Sequence, residues 1–146
     1  VIENNQFNKN TANDTVGAMV TYTTNNVNIT GNKFNSNTAK NSYGALAITN
    51  SKNTNLINND FTQNKATVGG GAIGILQSKT TLIKANNFTK NDCEKAAASI
   101  FSDGDYLTLT QNIFTQNHAY RSAGALYDEG KYLTITDNQL LPVLLT

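Results

Sequence analysis

Apolar and polar positions recur along this chain in one order, with a period of 27 residues that shortens to 26 near the end. Phenylalanine marks the phase at Phe7, Phe34, Phe61, Phe88 and Phe114, and Leu140 takes the sixth place. Each Phe lies within Asn-x-Phe-x-x-Asn, as NQFNKN, NKFNSN, NDFTQN, NNFTKN and NIFTQN. Ten residues beyond four of them comes a Gly-Ala step, at Gly17-Ala18, Gly44-Ala45, Gly71-Ala72 and Gly124-Ala125, whereas the fourth unit has Ala97-Ala98. The step leads into short runs, MVTY, LAIT, IGIL, SIFS and LYDE. A second run then alternates, with Val27/Ile29, Thr54/Leu56, Thr81/Ile83, Leu107/Leu109 and Leu133/Ile135 at the positions that read as inward. Strict alternation is the mark of a strand with one buried side.

Each unit therefore predicts three short strands, around the Phe, after Gly-Ala and before the next Asn, with Asn, Gly, Ser and Lys at the turns between them. None is long enough to fold alone. Stacked in register, each buries its apolar side against its copies above and below, with strands about 4.8 Å apart. The expected fold is all-β, a right-handed single-stranded parallel β-helix (solenoid) of about five 27-residue coils that forms one domain over residues 1–146. Helical repeats need a 3.6-residue period and these units alternate instead. The leucine-rich consensus and the GGxGxD calcium repeat are both absent. A disordered Asn-rich tract has no reason to hold Phe in register from Phe7 to Leu140.

Stacking puts equivalent residues in columns. The Phe column is expected to pile ring on ring in the core. Two Asn columns flank it. One holds Asn5, Asn32, Asn59, Asn86 and Asn112, and the other Asn10, Asn37, Asn64, Asn91 and Asn117. Both are expected to take left-handed turn geometry and to bond along the rod as structural ladders. An Ala column (Ala18, Ala45, Ala72, Ala98, Ala125) marks close packing after the Gly. Cys93 shares a column with Ala12, Ala39, Ala66 and Ala119 and reads as a small buried apolar residue. His118 aligns with Thr11, Thr38, Lys65 and Asp92, a set without common chemistry, and reads as an exposed loop residue.

Composition refines this picture. The chain holds 24 Asn and 20 Thr but is only 14% charged, with a net charge of +1. Nucleic acids and anionic membranes call for clustered Lys and Arg, so neither partner is expected. The longest apolar stretch, Leu140 to Leu145, is broken by Pro142 and is far below the roughly 20 residues that span a bilayer. One cysteine excludes an internal disulfide. The chain opens on Val1 without a signal peptide and reads as a piece of a longer protein, and the LLPVLL tail reads as a cap or a truncation.

The irregular features gather on the last two units. SDGDYLTLT (102–110) aligns over DEGKYLTIT (128–136), which puts Asp103 beside Glu129, Asp105 beside Lys131 and Tyr106 beside Tyr132. The acids Asp103, Asp105, Asp128 and Glu129 are binding candidates, either for Ca²⁺ or as the paired carboxylates of a glycosidase. Solvated loop charge is the preferred reading, because Lys131 neutralises part of the cluster and no Arg or His shares those columns. No metal, cofactor or catalytic residue is assigned. Tyr106 and Tyr132 are expected to stack on a rim, as packing or as a sugar platform. Glu94 and Arg121, each three residues before its landmark, are expected to form an exposed ion pair. Sequons at Asn13, Asn28 and Asn87 are no more than chance provides in so Asn-rich a chain.

The paired motifs have a known counterpart. GGAI at Gly70–Ile73, GAL at Gly44–Leu46 and Gly124–Leu126, GAM at Gly17–Met19 and the fivefold FxxN resemble the GGA[ILV]/FxxN repeats of chlamydial polymorphic outer-membrane proteins and of adhesin-like surface proteins of methanogenic archaea. The resemblance covers nearly the whole chain. It implies a right-handed β-helix, extracellular display at the cell surface, flanking domains in a longer chain, and attachment to glycans or proteins of another cell. A carbohydrate-active, pectate-lyase-like enzyme fragment is the alternative.

Overall fold

The computed structural model describes residues 1–141, and the tail of the LLPVLL segment from Pro142 onward lies outside the described residues. Every strand pairs in parallel with the equivalent strand of the next coil, and four sheets run along the rod. Numbered in chain order within a coil, sheet 1 holds Ile2–Glu3, Asn25–Thr30, Lys52–Ile57, Lys79–Lys84, Asp105–Thr110 and Thr134–Thr136. Sheet 2 carries the Phe strands Gln6–Asn8, Lys33–Asn35, Asp60–Thr62, Asn87–Thr89, Ile113–Thr115 and Gln139–Leu141. Sheet 4 is built from Met19–Tyr22, Leu46–Thr49, Ile73–Leu76, Ile100–Ser102 and Leu126–Asp128.

These three sheets are the ones the alternation predicts. Sheet 3 is additional, with Thr11–Ala12, Thr38–Ala39, Lys65–Ala66, Asp92–Cys93 and His118–Ala119. Strands of two residues contain one inward and one outward position, too few for a periodic signal. As a column they nevertheless align as expected, since Ala12, Ala39, Ala66, Cys93 and Ala119 all face inward in that sheet.

The core is a set of stacked columns. Phe7, Phe34, Phe61, Phe88 and Phe114 lie 4.6, 4.8, 5.0 and 4.9 Å apart between ring centroids, with interplanar angles of 4–6°. Stacking adds about 0.5–1.5 kcal/mol per pair beyond area burial. Ile29, Leu56, Ile83 and Leu109 fill sheet 1, and Leu46, Ile73 and Ile100 fill sheet 4.

The Asn columns bond as continuous ladders, but their turn geometry differs from the expectation. None of Asn10, Asn37, Asn64, Asn91 and Asn117, nor any Asn of the other ladder, takes a positive φ. The left-handed residue is the one before each ladder Asn. At one corner these are Asn4, Gly31, Asn58, Ala85, Gln111 and Asp137, and at the other Lys9, Ser36, Gln63, Lys90 and Gln116. That residue reverses the chain and swings the following amide into the turn.

There Asn59 Nδ2 donates to Asn86 Oδ1 at 2.9 Å and to Ile29 O at 2.8 Å, while Asn59 Oδ1 accepts from the Asn32 backbone at 2.9 Å. The second corner repeats the arrangement in every coil. Asn10 Nδ2 donates to Asn37 Oδ1 at 2.8 Å, and the chain of amides continues from Asn37 to Asn64, from Asn64 to Asn91 and from Asn91 to Asn117, each at 3.0 Å. The Nδ2 groups of Asn37, Asn64, Asn91 and Asn117 also donate to the carbonyls of Phe7, Phe34, Phe61 and Phe88, which ties the corner to the aromatic column. Asn37, Asn64 and Asn91 are fully buried, whereas Asn10 and Asn117 lie toward the ends of the rod and are less enclosed. Asparagine is selected for a side chain that both donates and accepts, not for its backbone freedom.

Register also corrects the fourth unit. Gly71 N–H bonds Ala97 O and Gly70 bridges Ala97, so Ala98 stands in the Gly column and Ser99, not Ala98, in the Ala column. A Cβ on Gly44 would lie 1.9 Å from Gly71 O and 2.7 Å from Lys65 N, both backbone atoms. Gly44→Ala is expected to cost about 1–3 kcal/mol by overpacking, read as a lower urea midpoint. An unchanged midpoint would mean that every coil can rearrange as the Ala98 coil does. There, Ile100 N–H alone reaches Ala125 O, where Ala45 and Leu46 N–H both converge on Ala72 O.

The lost residue falls in one turn. Ile75 pairs with Ser102, 27 residues on, but Lys79 pairs with Asp105, only 26 on. Asp103-Gly104 therefore replaces Leu76-Gln77-Ser78 between sheets 4 and 1, and the fifth coil keeps the shorter turn.

Candidate functional site

The shortened turn holds the acids picked out from sequence, and it explains them. In earlier coils the N–H of Thr23 and of Asn50 bonds the carbonyls of Thr49 and Leu76. For Gln77 that carbonyl went with the missing residue, and Asp103 Oδ1 accepts the Gln77 N–H in its place. Asp105 Oδ1 accepts the Lys131 N–H at 3.1 Å, and Glu129 Oε1 accepts from the Tyr127 hydroxyl at 3.0 Å. Asp128 turns inward, in the column of Thr21, Ile48, Ile75 and Ser102, with one carboxylate oxygen buried and unpartnered. The alignment of Asp103 with Glu129 and Asp105 with Lys131 is the observed one.

Asp103, Asp105 and Glu129 thus serve separate local bonds, while the inward Asp128 joins none of them. Among the described residues no three His, Cys, Asp or Glu side chains are grouped to hold a metal ion. Millimolar Ca²⁺ is expected to leave the melting temperature unchanged, since only ligand bound preferentially to the folded state raises it; a rise of several degrees would establish a site. Tyr106 and Tyr132 stack at 4.6 Å on the rim, both in left-handed backbone geometry and both exposed.

A second aromatic column runs outside sheet 4, where Phe101 stacks on Tyr127 at 5.8 Å and Tyr43 tilts against Phe101 at 6.2 Å. The Tyr43 ring fills the space over Gly74 that a side chain would occupy. Burial, and secondarily the Asp103 charge, push the Tyr43 hydroxyl up to about 12, so it stays protonated. Phe101 and Tyr127 carry no periodic signal, because the earlier coils place Val20, Ala47 and Gly74 in their column.

The outward column of sheet 3 is chemically more coherent than its residue types suggest. Lys65 Nζ lies 3.0 Å from Asp92 Oδ2, and His118 Nδ1 lies 3.2 Å from Asp92 Oδ1. Burial alone would raise the Asp92 carboxyl, but the hydrogen bonds from Lys65 and His118, with their charges, outweigh it and hold the group below its ordinary value. A depressed carboxyl stabilises the fold above its unfolded-state value, and that contribution is lost as pH falls through the folded-state value. With side-chain exposures of 54% and 37% for Lys65 and Asp92, screening keeps it small. Asp92→Asn is expected to cost less than about 1 kcal/mol at neutral pH and nothing in acid, checked by urea titration at both. His118 is exposed as expected, but it belongs to a strand and is oriented by Asp92.

The expected Glu94–Arg121 pair is absent. Asp92 aligns with His118, Cys93 with Ala119 and Ala97 with Ala123, so the constant 26-residue offset sets Lys95, not Glu94, beside Arg121. Matching Ala97 to Gly124 as equivalent landmarks misplaces the pair by one residue. Asp92, Cys93, Glu94, Lys95, His118, Tyr120 and Arg121 line a cavity of about 380 Å³. Cys93 is among them but turns its side chain inward, fully buried, with its thiol donating to Gly69 O and pushed up chiefly by burial, which makes it a poor nucleophile.

Four parallel sheets closed around a ladder-filled interior define the molecule as a single-stranded β-solenoid. Residues 1–141 match the family described as right handed beta helix region, and the chain belongs to that family. No curated protein and no solved structure matches the chain at a significant level.

Proposed function

We propose that this chain is a non-catalytic segment of a cell-surface adhesin: a rigid rod, displayed outside the cell, whose lateral faces attach to glycans or proteins of another surface. The observation that carries this reading is the separate local use of the carboxylates. Asp103, Asp105 and Glu129 each complete a bond within or between coils, whereas glycoside hydrolysis needs two carboxyl groups flanking one bond. The ladders give stiffness, because every interior coil is bonded to both neighbours at the two Asn corners. The GGA[ILV]/FxxN resemblance supports surface display and joining to flanking domains.

The test is adhesion. Beads coated with the purified chain are expected to bind cells or immobilised cell-surface polysaccharides and to release no cleavage products. Absence of binding to any of them would reduce the chain to a spacer, and release of reducing or unsaturated ends would show catalysis.

A further inference from the structure

We propose that the cavity between the fourth and fifth coils, beside sheet 3, binds an acidic sugar: a hydroxylated ring bearing one carboxylate. This names a ligand for the attachment reading and rests on it. Lys95 and Arg121 occupy equivalent places on adjacent coils, and like charges directly opposite each other are destabilising. Among the described residues neither has a carboxylate within ion-pair distance, although acids are close at hand. Asp92 is taken by Lys65 and His118, and the Glu94 charge acts on Lys65 and Cys93. Two cations without an ion-pair partner therefore line one concave space, with Glu94 the one carboxylate beside them not held in an ion pair.

The chemistry of the ligand follows from the other groups in that space. With Asp92 balanced by Lys65, the cations Lys95 and Arg121 stand against Glu94 alone, which leaves a single positive charge and selects a monoanion over a phosphate dianion. Arg121 offers the planar fork that matches a carboxylate. Glu94, the Tyr120 hydroxyl and the ring nitrogen of His118 not bonded to Asp92 supply acceptors and a donor for ring hydroxyls. A volume of about 380 Å³ falls within the range of small-molecule sites and suits one sugar ring.

The experiment titrates the full chain with D-glucuronate, with glucose, inorganic phosphate and sulfate as parallel arms, and reads melting temperature and calorimetric heat. Glucuronate is expected to raise the melting temperature saturably and glucose to leave it unchanged. Arg121→Gln and Lys95→Gln are each expected to weaken glucuronate at least tenfold, yet to melt no lower than the parent without ligand, because each removes a like-charge neighbour. Arg121→Glu is expected to abolish binding and to pair with Lys95. An equal response to glucose, tighter binding of phosphate or sulfate, or undiminished binding by Arg121→Gln would overturn the proposal. Adhesion that persists in Arg121→Gln, with no glucuronate response in the parent, would remove this site and leave the attachment reading standing. Loss of adhesion in the parent itself would remove both.

Discussion

Asn59→Ala is expected to destabilise the protein by about 4 kcal/mol, seen as a large fall in the urea midpoint. Asn59 is fully buried, and its side chain closes three kinds of bond at once. Its Nδ2 donates to Ile29 O, Ile57 O and Asn86 Oδ1, while its Oδ1 accepts from both nitrogens of Asn32. Truncation leaves the Asn32 N–H without a partner in the interior, at about 1–3 kcal/mol, and takes one bond each from the Ile29 carbonyl and Asn86 Oδ1, at about 0.5–1.5 kcal/mol apiece. Set against the roughly 5–15 kcal/mol typical of whole domains, one amide accounts for a large share. Asn59→Asp is no remedy, because a carboxylate could accept from Asn32 but would face three acceptors. Asn5→Ala is the control: it sits at the exposed end of the same column, bonds only one further coil, and is expected to cost under about 1 kcal/mol. Equal losses at the two positions would mean that the ladder does not act through burial.

The Phe, Ile/Leu and Ala columns are legible in the sequence because a solenoid repeats one environment once per coil, so selection for fit at one level recurs at every level. The ladder Asn is legible as a column for the same reason, but its mechanism is not. A repeated Asn is compatible with a left-handed turn or with amide stacking. Only the backbone shows that Ser36, Lys90 and Gln116 take the turn while Asn37, Asn91 and Asn117 take the bonds. Sheet 3 is too short to announce itself. The lateral surfaces are the least legible part. Outward positions have no shared environment, and Val20, Ala47, Gly74, Phe101 and Tyr127 follow one another in a single column. Surface chemistry is thus decided by register between unlike residues, where a one-residue error exchanges an attractive Glu94–Arg121 pair for a repulsive Lys95–Arg121 one.

Phe61→Ala is expected to cost about 3–5 kcal/mol, the range for large-to-small changes at a fully buried aromatic. The ring is held between Phe34 at 4.8 Å and Phe88 at 5.0 Å, so truncation removes two stacking contacts and opens a void at the middle of the column. Coils above and below are fixed by the Asn corners on both sides of sheet 2 and cannot collapse into it. Phe61→Leu is expected to lose well under half as much, because an aliphatic side chain keeps most of the buried volume and Leu140 already occupies this column in the last coil. Phe7→Ala, at a half-buried terminal coil with one stacking neighbour, should fall between them. In a stack where each coil touches only its neighbours, the middle position matters for a further reason: weakening it separates two half-rods, each with a newly exposed strand edge. Phe61→Ala should therefore lower the cooperativity of urea unfolding as well as its midpoint, whereas Phe7→Ala should shift the midpoint alone. A single transition of unchanged steepness in Phe61→Ala would show that the Asn ladders couple the coils strongly enough to hold the rod together without the aromatic column.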